Sequence, residues 1–363
     1  MKVLEVISSL ELFGGGEAFA VNFSRELSSL VDLKVVILHK NNQSFFIDRL
    51  NKKGIEPVIF DKKGHVDLKN VKQLKDIIES FKPDVIHTET NALISTFLAL
   101  KRTKYKNNVF VFHTMHLVPE KECNNLLVRI MYKHIFKKQN YIPVAITEKL
   151  STISSNYYKK SFVPVVYNGT DLENYSNNIP LADRKFDVTV VGRFSPEKNH
   201  QFLIHSFVEL IKNIPNLKIA FVGDGPLLQD MKKLSNDLNV HKNIVFKGAL
   251  IDPSEVVNDS KIIALGSFYE ANPLSLIEGM ASGCIVVSSN VGGVSDIVKN
   301  KNGFLYDVNN QKEFVDILKT ILSDVKSFDY ISSYNCLDSL NYSMKKCVCN
   351  YFALFNKQFK NLN

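Results

Sequence analysis

The 363-residue sequence predicts an α/β protein built from two parallel-sheet units. Short runs rich in β-branched and aromatic residues recur along the chain, and stretches with the 3–4 apolar spacing of a helix lie between them. Six such runs precede an irregular segment rich in Asn, Pro and Asp, and six follow it. The length also exceeds what one ordinary core supports, which favours two domains.

The predicted strands can be read directly from the sequence. In the first half they are KVLEVI, KVVILH, PVIFD, DVIHTE, VFVFHTM and IPVAIT. In the second half they are DVTVVGRF, KIAFVGDG, NIVFKGA, KIIALGS, IVVSS and GFLYDV. The helical spacing is clearest after the GRFSPEKN turn, with apolar residues at Phe202, Leu203, Phe207, Leu210 and Ile211. Because strands and helices alternate, both sheets are predicted to be parallel.

The irregular segment, residues 163–185, lacks periodicity and is predicted to be the linker between the two halves. We therefore place a first domain at residues 1–168 and a second at residues 169–341. The last segment, residues 342–363, is predicted to be an amphipathic helix that packs back on the first domain.

Composition narrows the class of protein. The chain is 45% hydrophobic and 23% charged, which is typical of a globular protein. No apolar run approaches the roughly 18 to 20 residues of a membrane span, and the N-terminus lacks a signal-peptide pattern. Five cysteines without CxxC or paired Cys/His spacing indicate neither a disulfide framework nor a zinc site. These features favour a cytoplasmic protein.

The net charge of +8 is concentrated in the first half of the chain. Up to Gly169 there are 25 Lys and Arg against 16 Asp and Glu, a net charge of +9, and the remainder carries −1. Such asymmetry favours an anionic partner for the first half. No nucleic-acid motif accompanies the basic residues, which leaves a membrane surface or an anionic acceptor.

A glycine-rich turn follows the first predicted strand. ELFGGGEAF places Gly14, Gly15 and Gly16 before a helix predicted to begin at Glu17. Missing side chains there would let a ligand approach the backbone. A tight structural turn is the alternative, because the stretch is neither GxGxxG nor a P-loop.

A basic turn follows the first strand of the second half. Arg193 and Lys198 flank a Ser-Pro-Glu turn and can reach a single anion. Two ordinary surface cations are the alternative. The turn VGDGP, residues 222–226, needs only structural turn chemistry.

The stretch SFYEANPLSLIEGMASG places two carboxylates, Glu270 and Glu278, eight positions apart. Asn is a good N-cap and Pro suits the first helical position, so a helix is predicted to begin at Asn272. Its start would carry the candidate binding residues Asn272, Pro273, Leu274, Ser275 and Glu278. A helix start suits a phosphate and nearby carboxylates suit sugar hydroxyls, which together indicate a nucleotide sugar. A capped helix with two solvated glutamates is the alternative.

Histidines lie at the ends of two predicted strands. His113 ends VFVFHTM with His116 just beyond, and His87 lies in DVIHTE. Ligands of open α/β sheets bind beyond the carboxyl ends of strands, so these positions are expected to face the cleft, and His113 is the best placed. A structural role is the alternative, especially for His87 and His116. The chain contains no Asp-x-Asp, so Arg193, Lys198 and helix N-termini are expected to carry diphosphate charge without a metal.

Taken together, these stretches resemble the retaining glycosyltransferases of family 4, which have the GT-B architecture of two facing Rossmann-like domains. The similarity covers almost the whole chain. It rests on GGGE, HTMH, VVYNGTDLENY, GRFSPEKN, VGDGP, and EANPLSLIEGMASG followed by SSNVGG.

The resemblance implies a role for each candidate residue. Glu270 corresponds to the family's contact with the donor sugar and Glu278 to its contact with the ribose. Arg193 and Lys198 correspond to its diphosphate ligands. The glycine loop maps onto Gly14, Gly15 and Gly16, and the cleft histidine onto His113. Two positions depart from the pattern: Ala271 stands where Gly is frequent, and Gly279, where Ala is common, is expected to loosen the helix by roughly 0.5 to 1 kcal/mol.

The resemblance further implies a retaining, metal-independent transfer from a nucleotide diphosphate sugar, most simply UDP-linked, with no cofactor. The acceptor would be a glycan or a lipid-linked sugar in bacterial surface polysaccharide assembly. A nucleotide-sugar epimerase or hydrolase of the same fold and a non-catalytic nucleotide-sugar-binding protein are the alternatives.

A basic stripe in the first half predicts a membrane contact. In residues 124–140, Arg129, Lys133 and Lys137 follow one another at four-residue spacing, and KRTKYK at residues 101–106 adds a second cluster. Such residues attract an anionic leaflet, so the enzyme is expected to lie peripherally on the inner face of the cell membrane. A solvated helix face is the alternative.

Overall fold

The computed structural model describes residues 1–10, 15–39, 44–61, 67–122, 125–176 and 179–359. The chain divides into two compact units. One consists of Met1–Gly169 together with Met344–Asn363, and the other of Thr170–Ser343. The change of unit at Gly169 lies within the segment predicted to be the linker.

The first unit contains a sheet of six parallel strands in the order β3-β2-β1-β4-β5-β6. The strands are β1 Lys2–Ile7, β2 Asp32–Ile37, β3 Val58–Ile59, β4 Val85–Glu89, β5 Phe110–Met115 and β6 Tyr141–Ala145. The helices are α1 Gly15–Leu27, α2 Ser44–Asn51, α3 Leu68–Phe81, α4 Leu93–Leu100, α5 Pro119–Glu122, α6 Leu126–Phe136 and α7 Glu148–Tyr158. All six predicted strands of this half are confirmed.

The second unit repeats the same arrangement, with a parallel sheet in the order β12-β11-β10-β7-β8-β9. Its strands are β7 Phe186–Val191, β8 Ile219–Val222, β9 Ile244–Phe246, β10 Ser260–Leu265, β11 Ile285–Ser289 and β12 Gly303–Tyr306. Its helices are α8 His200–Asn213, α9 Leu228–Asp237, α10 Ser254–Asn258, α11 Leu274–Ala281, α12 Val294–Ile297, α13 Gln311–Ser323 and α14 Asp329–Ser339. The six strands predicted for the second half are confirmed as well.

Continuous apolar runs form the strands because helices cover both faces of each sheet. Strands β4 and β5 are buried along their whole length. In the second unit, Leu203, Phe207 and Leu210 of α8 are buried against the sheet, as their spacing predicts. Among the described residues, no helix combines the length and the hydropathy that a membrane crossing needs.

The last helix, α15 (Met344–Phe359), completes the core of the first unit. It packs against α1, and its buried side chains recur at helical spacing. Tyr351 contacts Phe23 edge to face, with ring centroids 5.0 Å apart. The ring centroids of Phe355 and Phe112 of β5 are 4.8 Å apart. Without α15, this face of the first sheet would be exposed.

Candidate active site

Each sheet has a point where the order of its strands reverses. In the first unit this point lies between β1 and β4, and in the second between β7 and β10. Loops that leave two such strands turn to opposite faces of the sheet and open a crevice at their carboxyl ends, where ligands of this sheet type bind. The candidate residues of each unit cluster at this edge.

In the second unit, Lys198 and Glu270 meet at the reversal point. Lys198 ends the 3-10 turn Pro196–Lys198 after β7, and Glu270 lies in the loop after β10. Lys198 Nζ is 2.6 Å from Glu270 Oε1. Ser267 Oγ donates to the same oxygen at 2.7 Å. The structure therefore brings together two of the predicted residues that lie 72 positions apart.

The backbone of Glu270 is held by the glycines of SSNVGG. Gly293 N–H donates to the Glu270 carbonyl at 2.9 Å. Gly292 has a φ of +56°, and a Cβ there would lie 1.8 Å from that carbonyl oxygen. Any residue larger than glycine would displace the loop that carries Glu270.

The glycines of VGDGP support the turn that carries Arg193. Gly223 and Gly225 have φ values of +144° and +154°. A Cβ at Gly223 would lie 1.9 Å from the Gly192 carbonyl oxygen, and one at Gly225 would lie 2.5 Å from that of Phe194. This close packing confirms the structural interpretation of VGDGP. The Arg193 side chain itself is exposed.

Glu278 lies on α11, the helix that follows Glu270. Thr170 Oγ1 donates to Glu278 Oε1 at 3.2 Å, and Tyr175 contributes a second hydrogen bond. Burial raises the pKa of Glu278 to about 7, against the hydrogen bonds that lower it. The carboxyl group is therefore poised to change its protonation near neutral pH.

The start of α11 differs from the prediction. The helix begins at Leu274, and Pro273, with φ −73° and ψ 101°, is extended and caps it without a side-chain hydrogen bond. Asn272 is therefore not the N-cap. Its side chain is buried, and neither its Oδ1 nor its Nδ2 has a hydrogen-bond partner among the described residues. Ser275 stays at the helix start, partly exposed.

In the first unit, the glycine turn leads into α1, which begins at Gly15 rather than at Glu17. Gly14 lies outside the described residues. A Cβ at Gly15 would have no described atom within 4 Å, so packing by this part of the chain does not demand glycine there. A Cβ at Gly16 would lie 3.6 Å from Thr90 Cγ2. Thr90 follows β4 with a φ of +54°, which is uncommon for a β-branched residue and is frequent at functional sites.

The structure places His113 differently from the cleft position expected for it. Its ring has no exposed surface, because Tyr132 and Phe136 of α6 pack against it. Thr88 Oγ1 is 2.9 Å from its Nδ1, and its Nε2 has no hydrogen-bond partner in the described chain. Burial lowers the pKa of His113 to about 3, so the ring is neutral. Its catalytic role stays a prediction.

A buried polar chain runs through the first sheet beside His113. His87 Nδ1 is 2.8 Å from Glu5 Oε2, and His87 Nε2 is 2.8 Å from Thr114 Oγ1. Thr114 Oγ1 is in turn 2.7 Å from the hydroxyl of Tyr351 on α15. The structural interpretation of His87 fits these contacts, because the ring connects three secondary-structure elements.

His116 has a partner that the sequence analysis missed. Its Nε2 is 2.6 Å from Glu89 Oε2. Glu89 ends β4, and its side chain is completely buried, like that of Glu5 in β1. A signal was available for Glu5, which interrupts an otherwise apolar strand, but not for Glu89, which ends a strand that also carries His87 and Thr88. Charged residues rarely occupy such positions without a partner.

Two family models match adjoining parts of the chain. The model described as Glycosyltransferase Family 4 matches residues 13–174, and the model described as Glycosyl transferases group 1 matches residues 171–335. The chain belongs to glycosyltransferase family 4. This glycosyltransferase thus carries the family pattern over both of its units.

Individual relatives agree with this assignment. The enzyme is 27% identical over 293 residues to the UDP-Gal:alpha-D-GlcNAc-diphosphoundecaprenol alpha-1,3-galactosyltransferase of Escherichia coli, a match that covers 76% of this chain and 75% of the relative. It is 27% identical over 210 residues, or 56% of each chain, to the N-acetylgalactosamine-N,N'-diacetylbacillosaminyl-diphospho-undecaprenol 4-alpha-N-acetylgalactosaminyltransferase of Campylobacter jejuni.

A solved structure shows the same fold. HepE of Anabaena, in complex with UDP and glucose, matches the glycosyltransferase with a TM-score of 0.78. The match covers 98% of this chain and 100% of that one at 18% identity. The predicted GT-B fold is confirmed.

Proposed function

We propose that the enzyme transfers a sugar from a UDP-sugar to a glycan carried on a lipid diphosphate, in the assembly of a bacterial surface polysaccharide. The observation that carries the proposal is the Lys198–Glu270 contact at the reversal point of the second sheet, with Glu278 on the helix that follows. The two relatives named above act on diphospho-undecaprenol-linked sugars, which supports this acceptor class.

The donor binds in the second unit in this proposal. Glu278 accepts hydrogen bonds from the ribose, and Glu270 accepts them from hydroxyls of the sugar. Lys198 and Arg193 bind the diphosphate, Arg193 as a planar fork and Lys198 as a point charge. The stretch from Asn272 to Ser275 lies between the two carboxylates and contacts the donor.

The transfer proceeds with retention and without a metal. The acceptor hydroxyl attacks on the side from which the diphosphate departs, and the leaving phosphate takes up its proton. Negative charge grows on the diphosphate as the bond to the sugar breaks. Lys198 and Arg193 stabilise that charge. In metal-dependent enzymes a bound metal ion supplies this positive charge.

A donor panel followed by a transfer assay tests the proposal. UDP-sugars should raise the melting temperature more than other nucleotide sugars do. The preferred donor should then glycosylate a polyprenyl-diphosphate-linked sugar in the presence of EDTA, and proton NMR should show the donor's anomeric configuration in the product. Turnover of donor without acceptor would indicate an epimerase or hydrolase, and binding without any turnover would indicate a binding protein.

A membrane contact through α6 belongs to the same proposal. Leu126 and Leu127 are each 70% exposed and Ile130 is 56% exposed, so the first turns of α6 present apolar side chains to the surroundings. The basic residues of the stripe are partly engaged within the protein. Arg129 donates to the Glu120 carbonyl at 2.8 Å, and Lys133 Nζ lies 4.0 Å from the centroid of the Tyr157 ring.

An exposed apolar helix start beside cations suits an interfacial helix on an anionic leaflet. Co-sedimentation with phosphatidylglycerol vesicles should show binding that falls at high salt and is absent with phosphatidylcholine. Changing Leu126, Leu127 and Ile130 to Ser should weaken it. The control variant changes Lys233, Lys242 and Lys312 to Ala, three exposed lysines of the second unit. This change should leave vesicle binding unchanged. Equal binding to both vesicle types, or none, would contradict a membrane role.

A further inference from the structure

Glu89 and His116 form a largely buried pair at the carboxyl edge of the first sheet, and the transfer mechanism above does not use it. Glu89 ends β4, and His116 comes directly after β5, the neighbouring strand. The side chain of Glu89 is fully buried, whereas 17% of the His116 side chain is exposed. Their 2.6 Å contact has the length of a charge-assisted hydrogen bond.

The surroundings of His116 favour a positive charge on its ring. The titratable groups that face it are Glu89 and His87 of β4, His113 of β5, Glu122 of α5 and Glu17 of α1. Burial opposes the charge, but Glu89 above all outweighs it and raises the pKa of His116. In the same way, burial opposes ionisation of Glu89, but His116 outweighs it and lowers the pKa of Glu89. Both shifts favour the charged form of each partner, imidazolium for His116 and carboxylate for Glu89.

The second nitrogen of the ring is weakly engaged. His116 Nδ1 lies 3.4 Å from Asn168 Nδ2, which is a long contact, and Asn168 Oδ1 is buried without a described partner. An imidazolium needs an acceptor at Nδ1, and an amide nitrogen is a donor. The acceptor is then either Asn168 Oδ1, after a half-turn of the amide, or an oxygen of a ligand.

The His116 ring stays accessible to a ligand, since 17% of its side chain is exposed. Glycine also leaves an empty position beside the Cδ2–Nε2 edge of the ring, where a Cβ at Gly16 would lie 3.9 Å from both atoms. A formal positive charge prefers an anion to a hydroxyl group. Both substrates of the proposed reaction carry a diphosphate, so each of them supplies an anionic phosphate oxygen.

We propose that Glu89 is a positioning residue that holds His116 as a cation at the edge of the first sheet, and that His116 Nδ1–H binds a phosphate oxygen of a substrate. The inference rests on the proposed function for the identity of the substrates. The phosphate belongs either to the donor or to the lipid diphosphate of the acceptor. Since the charged form of His116 exists below its raised pKa, this contact is present at low pH and is lost as the pH rises through that value.

An NMR titration of His116 tests the positioning role without any transfer assay. In Glu89→Gln the midpoint of His116 should move down by about one pH unit or more, because the carboxylate charge is gone. Glu89→Asp, which keeps the charge, should restore it in part, and Glu148→Gln on the exposed face of α7 should leave it unchanged. Circular dichroism confirms that each variant is folded. A midpoint that stays in place in Glu89→Gln overturns the role of Glu89.

Calorimetry with two probes tests the phosphate contact and identifies its source. UDP represents the donor, and farnesyl diphosphate represents the acceptor. His116→Gln should weaken one of them by about tenfold at pH 6, the loss expected for a hydrogen bond to a charged group. The effect should vanish at a pH above the His116 midpoint. If neither probe is weakened, the contact is refuted, whereas failure of every transfer assay would refute only the proposed function.

Discussion

At the scale of single residues, the second unit places its two candidate carboxylates in unlike surroundings. Glu270 has a lysine and a serine on one oxygen. Glu278 accepts from two hydroxyl groups of the described chain, those of Thr170 and Tyr175, and burial dominates its pKa. One carboxylate is thus compensated by a cation, and the other is left close to its ionisation midpoint at neutral pH.

This difference predicts that UDP binding releases a proton from Glu278. Ribose hydroxyls donate to the ionised carboxylate, so the bound state favours deprotonation. Near pH 6, where the free enzyme holds this carboxyl mostly protonated, binding should release close to one proton, and at pH 8 almost none. Calorimetry in buffers of different ionisation enthalpy measures the release. The terminal phosphate of UDP also titrates in this range, so the test is the difference between the two proteins: Glu278→Gln should release close to one proton fewer at pH 6. An equal release from that variant would refute the assignment.

The same pKa gives the free enzyme a pH-dependent stability. Because the pKa of Glu278 is raised to about 7 from the ordinary 4.5, the folded state binds the proton more tightly than the unfolded state. The free energy of unfolding should therefore fall as the pH rises from about 4.5 to about 7, by roughly 2 to 3 kcal/mol relative to Glu278→Gln. Urea denaturation of both proteins across that range measures the difference. If the free energies of unfolding of the two proteins changed in parallel with pH, the predicted contribution of Glu278 would be wrong.

Lys198 and Arg193 should differ in what they do besides catalysis. Both changes to Ala should lower kcat more than donor affinity, because they remove charge stabilisation that grows in the transition state. Lys198→Ala should also lower the free energy of unfolding by about 2 kcal/mol, since it leaves Glu270 without its cation. Arg193 is exposed, so its removal should leave stability unchanged. Thermal denaturation measures the effect of each change on stability, and steady-state kinetics measures its effect on kcat and donor affinity.

The double variant Lys198→Ala with Glu270→Gln provides the control. It should recover stability, because no charge is left unpaired, but it should not recover activity. An activity that returned with the stability would assign the pair a structural role alone.

At the scale of elements, close backbone approach explains why glycine recurs around the candidate site of the second unit. Gly279 lies on α11, where it faces β10, and a Cβ there would lie 2.5 Å from Ile263 Cγ2. From the sequence alone, this glycine is expected only to lower the helix propensity of α11. The structure adds that the helix lies against the sheet too closely for a methyl group.

Gly279→Ala should therefore destabilise the enzyme by about 1 to 3 kcal/mol, although alanine is the better helix former. Adding Ile263→Ala should reduce the cost of the alanine, because it removes the side-chain atoms that the new methyl group meets. A double-mutant cycle from urea denaturation measures this coupling. A single variant more stable than the parent would show that helix propensity decides instead.

The elements themselves could be predicted because each strand is an apolar run between turn residues. All twelve were found in this way, and the face of α8 was found from its spacing. Among the site residues, Lys198 and Glu270 do lie together as the reversal of strand order requires. The local sequence pattern is sufficient to predict the strands because both faces of each sheet are buried, so each strand is an apolar run.

The packing of helices on the sheets could not be predicted in the same way. His113 lies inside β5, and its ring is covered because α6, in the connection after that strand, packs against it. The predicted cap at Asn272 does not form because Pro273 is extended, so the helix begins only at Leu274. Glu89 was missed because its partner, His116, belongs to another strand.

At the scale of the whole molecule, each unit has its own sheet and its own core, but only the second is continuous in sequence. The first unit needs α15, whose buried residues pack against α1 and β5. The chain leaves the first unit after Gly169 and returns to it at Met344. Thr170 and Ser343, which begin and end the second unit, pair with each other in an isolated bridge.

A fragment of residues 170–343 should therefore fold alone and unfold cooperatively, whereas a chain that ends at residue 343 should keep only the second unit ordered. Loss of α15 removes Tyr351 and Phe355 and therefore exposes the rings of Phe23 and Phe112 that they cover. It also removes the hydroxyl group that ends the buried polar chain at Thr114. Hydrogen exchange measured by mass spectrometry should show rapid exchange across β1 to β6 in the truncated chain. Protection of those strands would contradict the dependence on α15.

The return of α15 to the first sheet sets an order of events during synthesis. A ribosome finishes β1 to β6 early, but the helix that covers this sheet leaves the exit tunnel only after the whole second unit has been made. For that interval the nascent chain presents the apolar surface around Phe19, Phe23 and Phe112 to the surroundings. The first half to be translated is then the last to reach its final packing, and it is the half expected to depend on a chaperone.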